Sequence, residues 1–264
     1  MEKVQKDIFT QRKKMMICLL LFILILYSLS AMGINFDLLT SLPSIPAGFG
    51  WLFTNFIPTE ESVSYLPMIV SRLIQTILMS ITATATAAVF ALFMAIFGSR
   101  ETGIHPVVKA LAHIVASFFR NMPIVVWAMI LLISFKQSEF TGYLAIFFST
   151  FGYLTRSFME TIDEVAGSTI EALTATGASF FQIVFQGVLP MVGSQLISWV
   201  LFLIENNIRD ATLVGILTGT GIGFLFDLYY KKFEYDITGM IILTIIVVVI
   251  GLELFSNTVR RIII

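Results

Sequence analysis

Charged and amide side chains interrupt the long apolar stretch "WVLFLIENNIRDATLVGIL" at residues 199–217. A charge at the centre of a bilayer costs about 2.5–3.5 kcal/mol on insertion scales, so these side chains are not expected to face lipid. Glu205 and Arg209 are four residues apart, which is the spacing of an intrahelical ion pair. Two hypotheses follow. The pair either locks helices together, or it lines a passage with Asn207, where Arg209 could bind an oxyanion bidentately.

Three glycines follow in "GTGIGF", at Gly219, Gly221 and Gly223. The pattern is not GxGxxG and no strand–turn–helix unit surrounds it, so a dinucleotide site is rejected. We expect a tight turn or a broken helix instead. Membrane proteins allow such irregular backbone only where it is buried or lines a cavity. The glycines are therefore further candidates for the lining or gate of a passage.

A second polar stretch, residues 160–190, separates two apolar runs. Its apolar residues recur at approximately helical spacing, which predicts a helix with one apolar and one polar face. Gly177 can end that helix, and Pro190 can open the next one. Such a helix and turn beneath a membrane would suit docking into a groove on a soluble partner. The apolar positions are Ile162, Val165, Ala166, Ile170, Leu173 and Gly177.

Composition places these stretches in a membrane protein. Of the 264 residues, 57% are hydrophobic and only 12% are charged, against about 25% charged residues in an ordinary soluble domain. The single cysteine, Cys18, excludes an internal disulfide framework. His105 and His113 have no cysteine or acidic cluster at metal-ligand spacing, so no metal site is expected. The net charge of −1 gives no indication of a nucleic-acid partner.

The apolar runs predict an all-α, polytopic bundle of about six spans, since about 20 apolar residues cross a hydrocarbon core of about 30 Å. The third predicted span is irregular because Arg120 and Pro123 lie inside it, and it could be two pieces. Arg120 is expected to snorkel from an interfacial turn. The predicted spans are 15–33, 67–97, 107–135, 140–159, 188–216 and 237–256.

Basic residues predict the orientation of the spans. The tail 1–14 is basic, the connection 34–66 contains no Lys or Arg, and Arg260 and Arg261 follow the last span. Six spans would then place both termini in the cytoplasm. Residues 157–208 contain no Lys or Arg, so only this parity places the 160–190 stretch inside.

The predicted organisation has four parts. These are a cytoplasmic basic tail (1–14), a first span with an external segment (15–66), a transmembrane domain (67–256) and a cytoplasmic tail (257–264). The aromatic, proline-rich part of 34–66 is either an amphipathic segment at the outer interface or an ordered loop covering the bundle.

Small residues repeat every four positions in the second span, at Ala83, Ala87 and Ala91. Such a repeat lets helix backbones approach closely. We interpret it as packing, either within the chain or at a subunit interface. A ligand-binding role for this stripe is the weaker alternative.

The segment "EALTATGA…GVLP" resembles the cytoplasmic EAA loop of ABC importer permeases. Glu171, Ala172, Gly177, Leu189 and Pro190 stand at the spacing of that pattern, whereas Leu173 and Gly187 depart from it. The segments "RNMPIVVWAMI" and "LIENNIRDATLVGILTGTGIGFLFDLYYKKFEYD" are similar to the phosphonate-type branch of these permeases. This resemblance covers nearly all of residues 67–256, and methionine-type permeases share a shorter version of it.

The resemblance implies a subunit of a bacterial inner-membrane importer and no enzyme activity in this chain. Two permease chains, expected to be a homodimer, would form the passage, and a cytoplasmic ABC ATPase dimer would dock on the EAA loops. An extracytoplasmic substrate-binding protein would deliver a phosphonate. The sequence contains no GxxxxGK[ST] motif, so this chain is expected to bind no cofactor, and ATP and Mg²⁺ would be used by the partner.

Two alternatives remain open from the sequence. The first is a permease of the same architecture for another substrate, such as phosphite, a phosphate ester or methionine. The second is an autonomous channel or an intramembrane enzyme. An enzyme would need a nucleophile and base, or a metal cluster, at membrane depth, and none is visible; a channel would not need a docking helix. A high-affinity site among the charges of span five is not expected, because an importer must release its substrate.

Overall fold

The computed structural model of the chain describes residues 2–263, and it describes side chains at all of these positions except 2–10, 39, 262 and 263. The regular structure of this part of the chain is helical. The elements are α1 (Glu2–Gly33), α2 (Leu38–Ser41), α3 (Ser44–Asn55), α4 (Glu60–Val63), α5 (Leu66–Gly98), α6 (Pro106–Asn121), α7 (Ile124–Phe135), α8 (Glu139–Val165), α9 (Gly167–Ala175), α10 (Phe180–Gln182), a π-helix (Ile183–Val188), α11 (Leu189–Thr218), α12 (Gly221–Lys231) and α13 (Tyr235–Ile263).

The chain divides into two compact units, one up to Thr54 and the other from Asn55 onward. In the first unit, the part of α1 from Gln11 to Gly33 is long and apolar enough to cross a membrane, and its most apolar window contains no buried residue. Helix α3 likewise buries none of its residues within the chain. Exposed apolar side chains over this length are typical of a helix that is surrounded by lipid.

Helix α8 is the centre of the second unit. It packs against α5, α6, α7 and α11. The positions that make this possible are small or carry hydroxyl groups, so neighbouring helix backbones approach closely. At Gly152 the approach is closest, because a Cβ atom there would lie 2.3 Å from the backbone nitrogen of Arg120 on α6. The buried small and hydroxyl residues of α8 are Thr141, Gly142, Ala145, Thr150, Gly152, Thr155, Ser157 and Thr161.

The alanine stripe of α5 packs inside the chain. Ala83, Ala87, Ala91 and Ala95 are all fully buried. Most of them belong to the largest hydrophobic core, together with residues of α8 and α11. Of the two packing arrangements predicted for the stripe, contact within the chain is therefore the one observed.

The expected count of about six spans is approximate. Among the described residues, four helices are long and apolar enough to cross a membrane, or five if the bent pair α6 and α7 is one span. The predicted span 140–159 lies in α8, which does not meet this criterion. Because four other helices surround α8, its polar residues do not have to face lipid, and the helix does not need the apolar composition of a peripheral span.

The third predicted span, 107–135, is two helices. Helices α6 and α7 meet at an angle of 91°. The break falls at Asn121–Pro123, where Pro123 caps the start of α7 in extended conformation. Helix α7 has 12 residues and is about 18 Å long, too short to cross a hydrocarbon core of about 30 Å alone. The sequence-based suggestion that this span is two pieces is thus confirmed.

Replacement of Gly152 by alanine tests the central position of α8. We expect Gly152→Ala to destabilise the chain by about 1–3 kcal/mol, because the added methyl group would collide with the α6 backbone. The measurement is the melting temperature of the purified chain in detergent. Gly251→Ala on α13 is the control, since nothing lies within 4 Å of its Cβ position. Equal melting temperatures for the two variants would contradict the close approach.

Candidate functional site

The short helix α9 presents a polar surface between two long helices. Glu171 and Ala172 are exposed, whereas Ile170 is buried against the main core. Leu173 packs towards the π-helix, where a Cβ atom on Gly187 would lie 2.5 Å from its Cδ1 atom. One side of α9 therefore packs on its own chain, and the side that carries Glu171 and Ala172 is free for a partner.

Gly177 ends α9 in a left-handed turn with φ of +79°. The Ala178 amide donates to the Leu173 carbonyl (3.1 Å) and the Gly177 amide to the Thr174 carbonyl (3.0 Å). This pair of bonds is a Schellman motif, which favours glycine at the left-handed position. No atom outside its chain neighbours lies within 4 Å of the Cβ position of Gly177. The turn is thus exposed, and a partner's backbone could approach it closely.

The chain enters α11 through the π-helix Ile183–Val188. Its last turn is closed by a bond from the Leu189 amide to the Val184 carbonyl. Pro190, which has no amide hydrogen, stands in the first turn of α11, directly after the π-helix. Leu189 packs against the main core, and Pro190 is exposed. Together with Glu171, Ala172 and Gly177, these are the five residues that stand at the spacing of the EAA loop.

The predicted ion pair of span five is present and has an additional partner. Arg209 donates to the Glu205 carboxylate, and Arg260 of α13 donates to its other oxygen at 3.0 Å. Arg209 also donates to the Asn206 side-chain oxygen at 3.3 Å. The Glu205 side chain is 10% exposed and that of Arg209 is 44% exposed. The cluster therefore ties α11 to α13 and leaves one guanidinium group accessible.

Asn207 lies on the opposite, buried side of α11 and is 5% exposed. Its amide nitrogen donates to Thr84 on α5 (2.7 Å) and to Thr150 on α8 (2.8 Å). The backbone carbonyl of Asn207 accepts from the Ser80 hydroxyl of α5 at 3.2 Å. These bonds join the three central helices. The role of Asn207 as a passage residue stays a prediction.

The glycines at 219–223 form the tight turn between α11 and α12. Gly219 and Gly221 have φ values of +68° and +60°. A Cβ atom on Gly223 would lie 1.9 Å from the Thr212 carbonyl oxygen, so α12 starts in contact with the α11 backbone. Thr76 of α5 accepts from the Ile222 amide at 2.9 Å. The sequence-based expectation of a tight turn or broken helix is confirmed.

A pocket of about 730 Å³ lies beside this turn. Helices α5 and α8 form its walls, and Gln75 on α5 donates to Glu139 at the start of α8. Arg72 in turn donates to the Gln75 side-chain oxygen at 3.0 Å. The pocket is therefore spanned by a polar chain that connects the two helices. Its polar lining residues include Ser71, Gln75, Thr76, Glu139, Tyr143 and Thr220.

Arg120 lies at the end of α6, beside the helix break at Pro123. It is exposed, and its guanidinium carbon is 5.6 Å from the centre of the Tyr153 ring on α8. This cation–π contact holds the side chain against the protein. Arg120 and Pro123 thus both lie at the junction of α6, α7 and α8.

Contacts between residues distant in sequence were missed by sequence reasoning. Arg156 pairs with Glu160 at 2.6 Å and contacts the His113 ring of α6 at 2.8 Å. Asp163 accepts bonds from the turn after α5, at Ser99 and Arg100. Only the spacing of Arg156 and Glu160, four residues apart, gave a signal for any of these contacts.

Comparisons with known proteins agree with the resemblance. Residues 87–263 match the family described as "Binding-protein-dependent transport system inner membrane component". The phosphite transport system permease protein PtxC of Stutzerimonas stutzeri is 31% identical over 189 residues, which are 72% of this chain and 69% of PtxC. The phosphate-import permease protein PhnE of Mycolicibacterium smegmatis is 29% identical over 72% of this chain, but over only 36% of its own length.

Solved structures share the fold. A chain of the inward-facing MetNI methionine ABC transporter superposes with a TM-score of 0.67 at 14% identity, over 78% of this chain and 99% of that one. A chain of an amino acid ABC transporter crystallised with histidines gives a TM-score of 0.64 at 16% identity, over 75% and 95%. At such identities the similarity is one of fold alone.

Removal of the Asn207 amide tests the contact of the three central helices. We expect Asn207→Ala to destabilise the chain by about 1–2 kcal/mol, because two buried hydrogen bonds are lost at about 1 kcal/mol each. Thermal unfolding in detergent measures this. Asn206→Ala is the matched control, since Asn206 is only partly buried and accepts one long bond from Arg209. A larger loss of stability in the Asn206 variant would contradict the assignment.

Proposed function

The chain belongs to the family of binding-protein-dependent transport system inner membrane components, and on this premise we propose that it imports a phosphonate or a related small oxyanion. ATP hydrolysis on a partner subunit drives this import. The chain is a multi-pass permease subunit of an ABC importer of type I fold. Its substrate, its energy coupling and its set of partners are the proposed part.

The exposed surface of α9 is the observation that carries the proposal. Glu171, Ala172 and Gly177 form one accessible face at the end of α9. The Schellman turn fixes the shape of this face, so a partner would meet a preformed surface and lose little entropy on docking. A cytoplasmic ABC ATPase dimer is the partner that we propose. Because this sequence has no phosphate-binding loop motif, the partner binds ATP and Mg²⁺.

The topology supports a cytoplasmic position for α9. Asp163 near the end of α8 bonds to Ser99 after α5, so these two helix ends lie together. Towards the other end of this helix pair, Gln75 of α5 donates a hydrogen bond to Glu139 of α8. With the basic residue Arg100 beside Ser99, we place this end in the cytoplasm. Both termini are then cytoplasmic, and the pocket beside Glu139 faces the extracytoplasmic side.

The names of the relatives support a small phosphorus oxyanion as substrate. PtxC is named for phosphite and PhnE for phosphate. Methionine is supported only through the shared fold of the MetNI chain. An extracytoplasmic binding protein delivers the substrate to the passage between two permease chains, which we take to be identical copies.

Arg209 is the residue that we propose for contact with the passage. The guanidinium group of Arg209 is 44% exposed on a spanning helix, and its insertion into lipid would be costly. The pairing with Glu205 leaves it accessible but partly neutralised, which suits transient contact with an anion better than tight binding. Gly219, Gly221 and Gly223 shape the wall of the passage at the C-terminal end of α11.

Reversal of the charge at Glu171 tests the docking surface. We expect Glu171→Lys to abolish uptake of labelled phosphite or methylphosphonate, because a lysine at the docking face prevents productive contact with the ATPase. The variant should insert in the membrane at the normal level, since Glu171 is exposed. Uptake in cells that lack the native gene measures this, with immunoblots of membrane fractions as the insertion control.

The matched control is Glu61→Lys, which reverses an exposed carboxylate on α4, at the opposite end of the bundle. We expect near-normal uptake with this variant. Normal uptake with Glu171→Lys would refute the docking role. Copurification of the wild-type chain with an ABC ATPase would support the importer, and transport by the isolated chain without ATP would favour the channel alternative.

A further inference from the structure

The turn between α5 and α6 is held by a carboxylate from α8. The Asp163 Oδ1 atom accepts from the Ser99 hydroxyl at 2.5 Å and from the Arg100 amide at 2.8 Å. The Glu101 amide lies at 3.5 Å from the same oxygen. Hydrogen bonds to an ionised carboxylate are roughly twice as strong as neutral ones. This one side chain thereby adds hydrogen bonds to the packing of the end of α5 on α8, where Gly98 lies against Met159.

Hydrogen bonds within the turn connect it to α5. Ser99 is fully buried, and its hydroxyl oxygen accepts from the Glu101 amide (3.1 Å) and the Thr102 amide (3.3 Å). The Thr102 hydroxyl donates to the Ile96 carbonyl in the last turns of α5 at 2.6 Å. These bonds connect the turn to α5 without a loose segment. A displacement of Asp163 therefore moves the end of α5 and not merely a flexible loop.

Asp163 is close to the docking surface in sequence and in space. It is four residues before Gly167, the first residue of α9. A Cβ atom on Gly167 would lie 3.8 Å from the Glu101 carboxyl carbon, so the start of α9 also borders the turn. A force applied to α9 by a docked partner thus passes to α8 close to Asp163, as well as to the π-helix through Leu173.

Helix α5 connects this turn with the pocket. It has 33 residues and is about 50 Å long. Near its other end, Gln75 and Thr76 line the pocket, and Gln75 bonds to Glu139 at the start of α8. Both walls of the pocket therefore belong to the two helices that Asp163 fastens together at their opposite ends.

We propose that Asp163 is a positioning residue that transmits displacement of α9 to α5, through its bonds to Ser99 and Arg100. The proposal rests on the proposed function, in which an ATPase docks on α9. With the bonds intact, α5 and α8 move as one body when α9 moves. Without them, the ATPase still docks and hydrolyses ATP, but the pocket does not follow its cycle.

The test compares two carboxylates that are adjacent in the chain. Asp163→Asn keeps the size of the side chain and removes its charge, and Ser99→Ala removes the same contact from α5. Glu164→Gln is the matched control, because Glu164 is exposed and also loses one negative charge. Each variant is purified as the complete complex with its ATPase and binding protein and reconstituted in proteoliposomes. ATP hydrolysis and uptake of labelled phosphite are measured in the same vesicles.

We expect Asp163→Asn and Ser99→Ala to retain ATP hydrolysis within about twofold of the wild type, while uptake per ATP falls at least fivefold. Glu164→Gln should keep the wild-type ratio, and Asp163→Glu should restore part of it. An unchanged ratio in Asp163→Asn would overturn the proposal, whether both rates stay normal or both fall in parallel. Absence of ATP-driven uptake in the wild-type complex would instead refute the proposed function, so the two failures are distinguishable.

Discussion

Polar groups in an apolar surrounding must be paired within the chain, and this constraint governs the structure. Lipid offers no partner to an amide or a guanidinium group, and little hydrophobic force draws helices together inside it. The bundle therefore depends on close backbone approach and on buried hydrogen bonds. Asn207 joins α5, α8 and α11, and Gly152 lets α6 touch α8. Glu205 accepts from two arginines on two helices.

The same constraint applies to the exposed surface of α9, which no other described part of the chain covers. Within the second unit, α9 exposes Glu171 and Ala172 beside a turn that is shaped by Gly177. A surface of this kind would be costly in lipid but suits an aqueous boundary where another protein binds. We propose that an ATPase docked at this boundary drives transport. Asp163 lies between α9 and the interior helices. The proposed function thus rests on where the chain does and does not satisfy its own polar groups.

Features that depend on local sequence could be predicted. The end of α9 at Gly177, the break near Pro123 and the pairing of Glu205 with Arg209 all rest on residues within one or two turns of each other. The central position of α8 could not be read from its composition, because burial by four neighbours makes an apolar surface unnecessary. The Arg260 and Asp163 contacts were also missed, since each joins residues more than 50 positions apart.

The central claim is that the face carrying Ala172 lies in the cytoplasm against an ATPase, and cysteine accessibility tests it most directly. Exposed Cys18 is first replaced by serine, and Ala172→Cys is then introduced. A membrane-impermeant maleimide should label this cysteine in inside-out vesicles and not in right-side-out vesicles, and bound ATPase should protect it. Labelling from the external side, or equal labelling with and without the ATPase, would contradict the account.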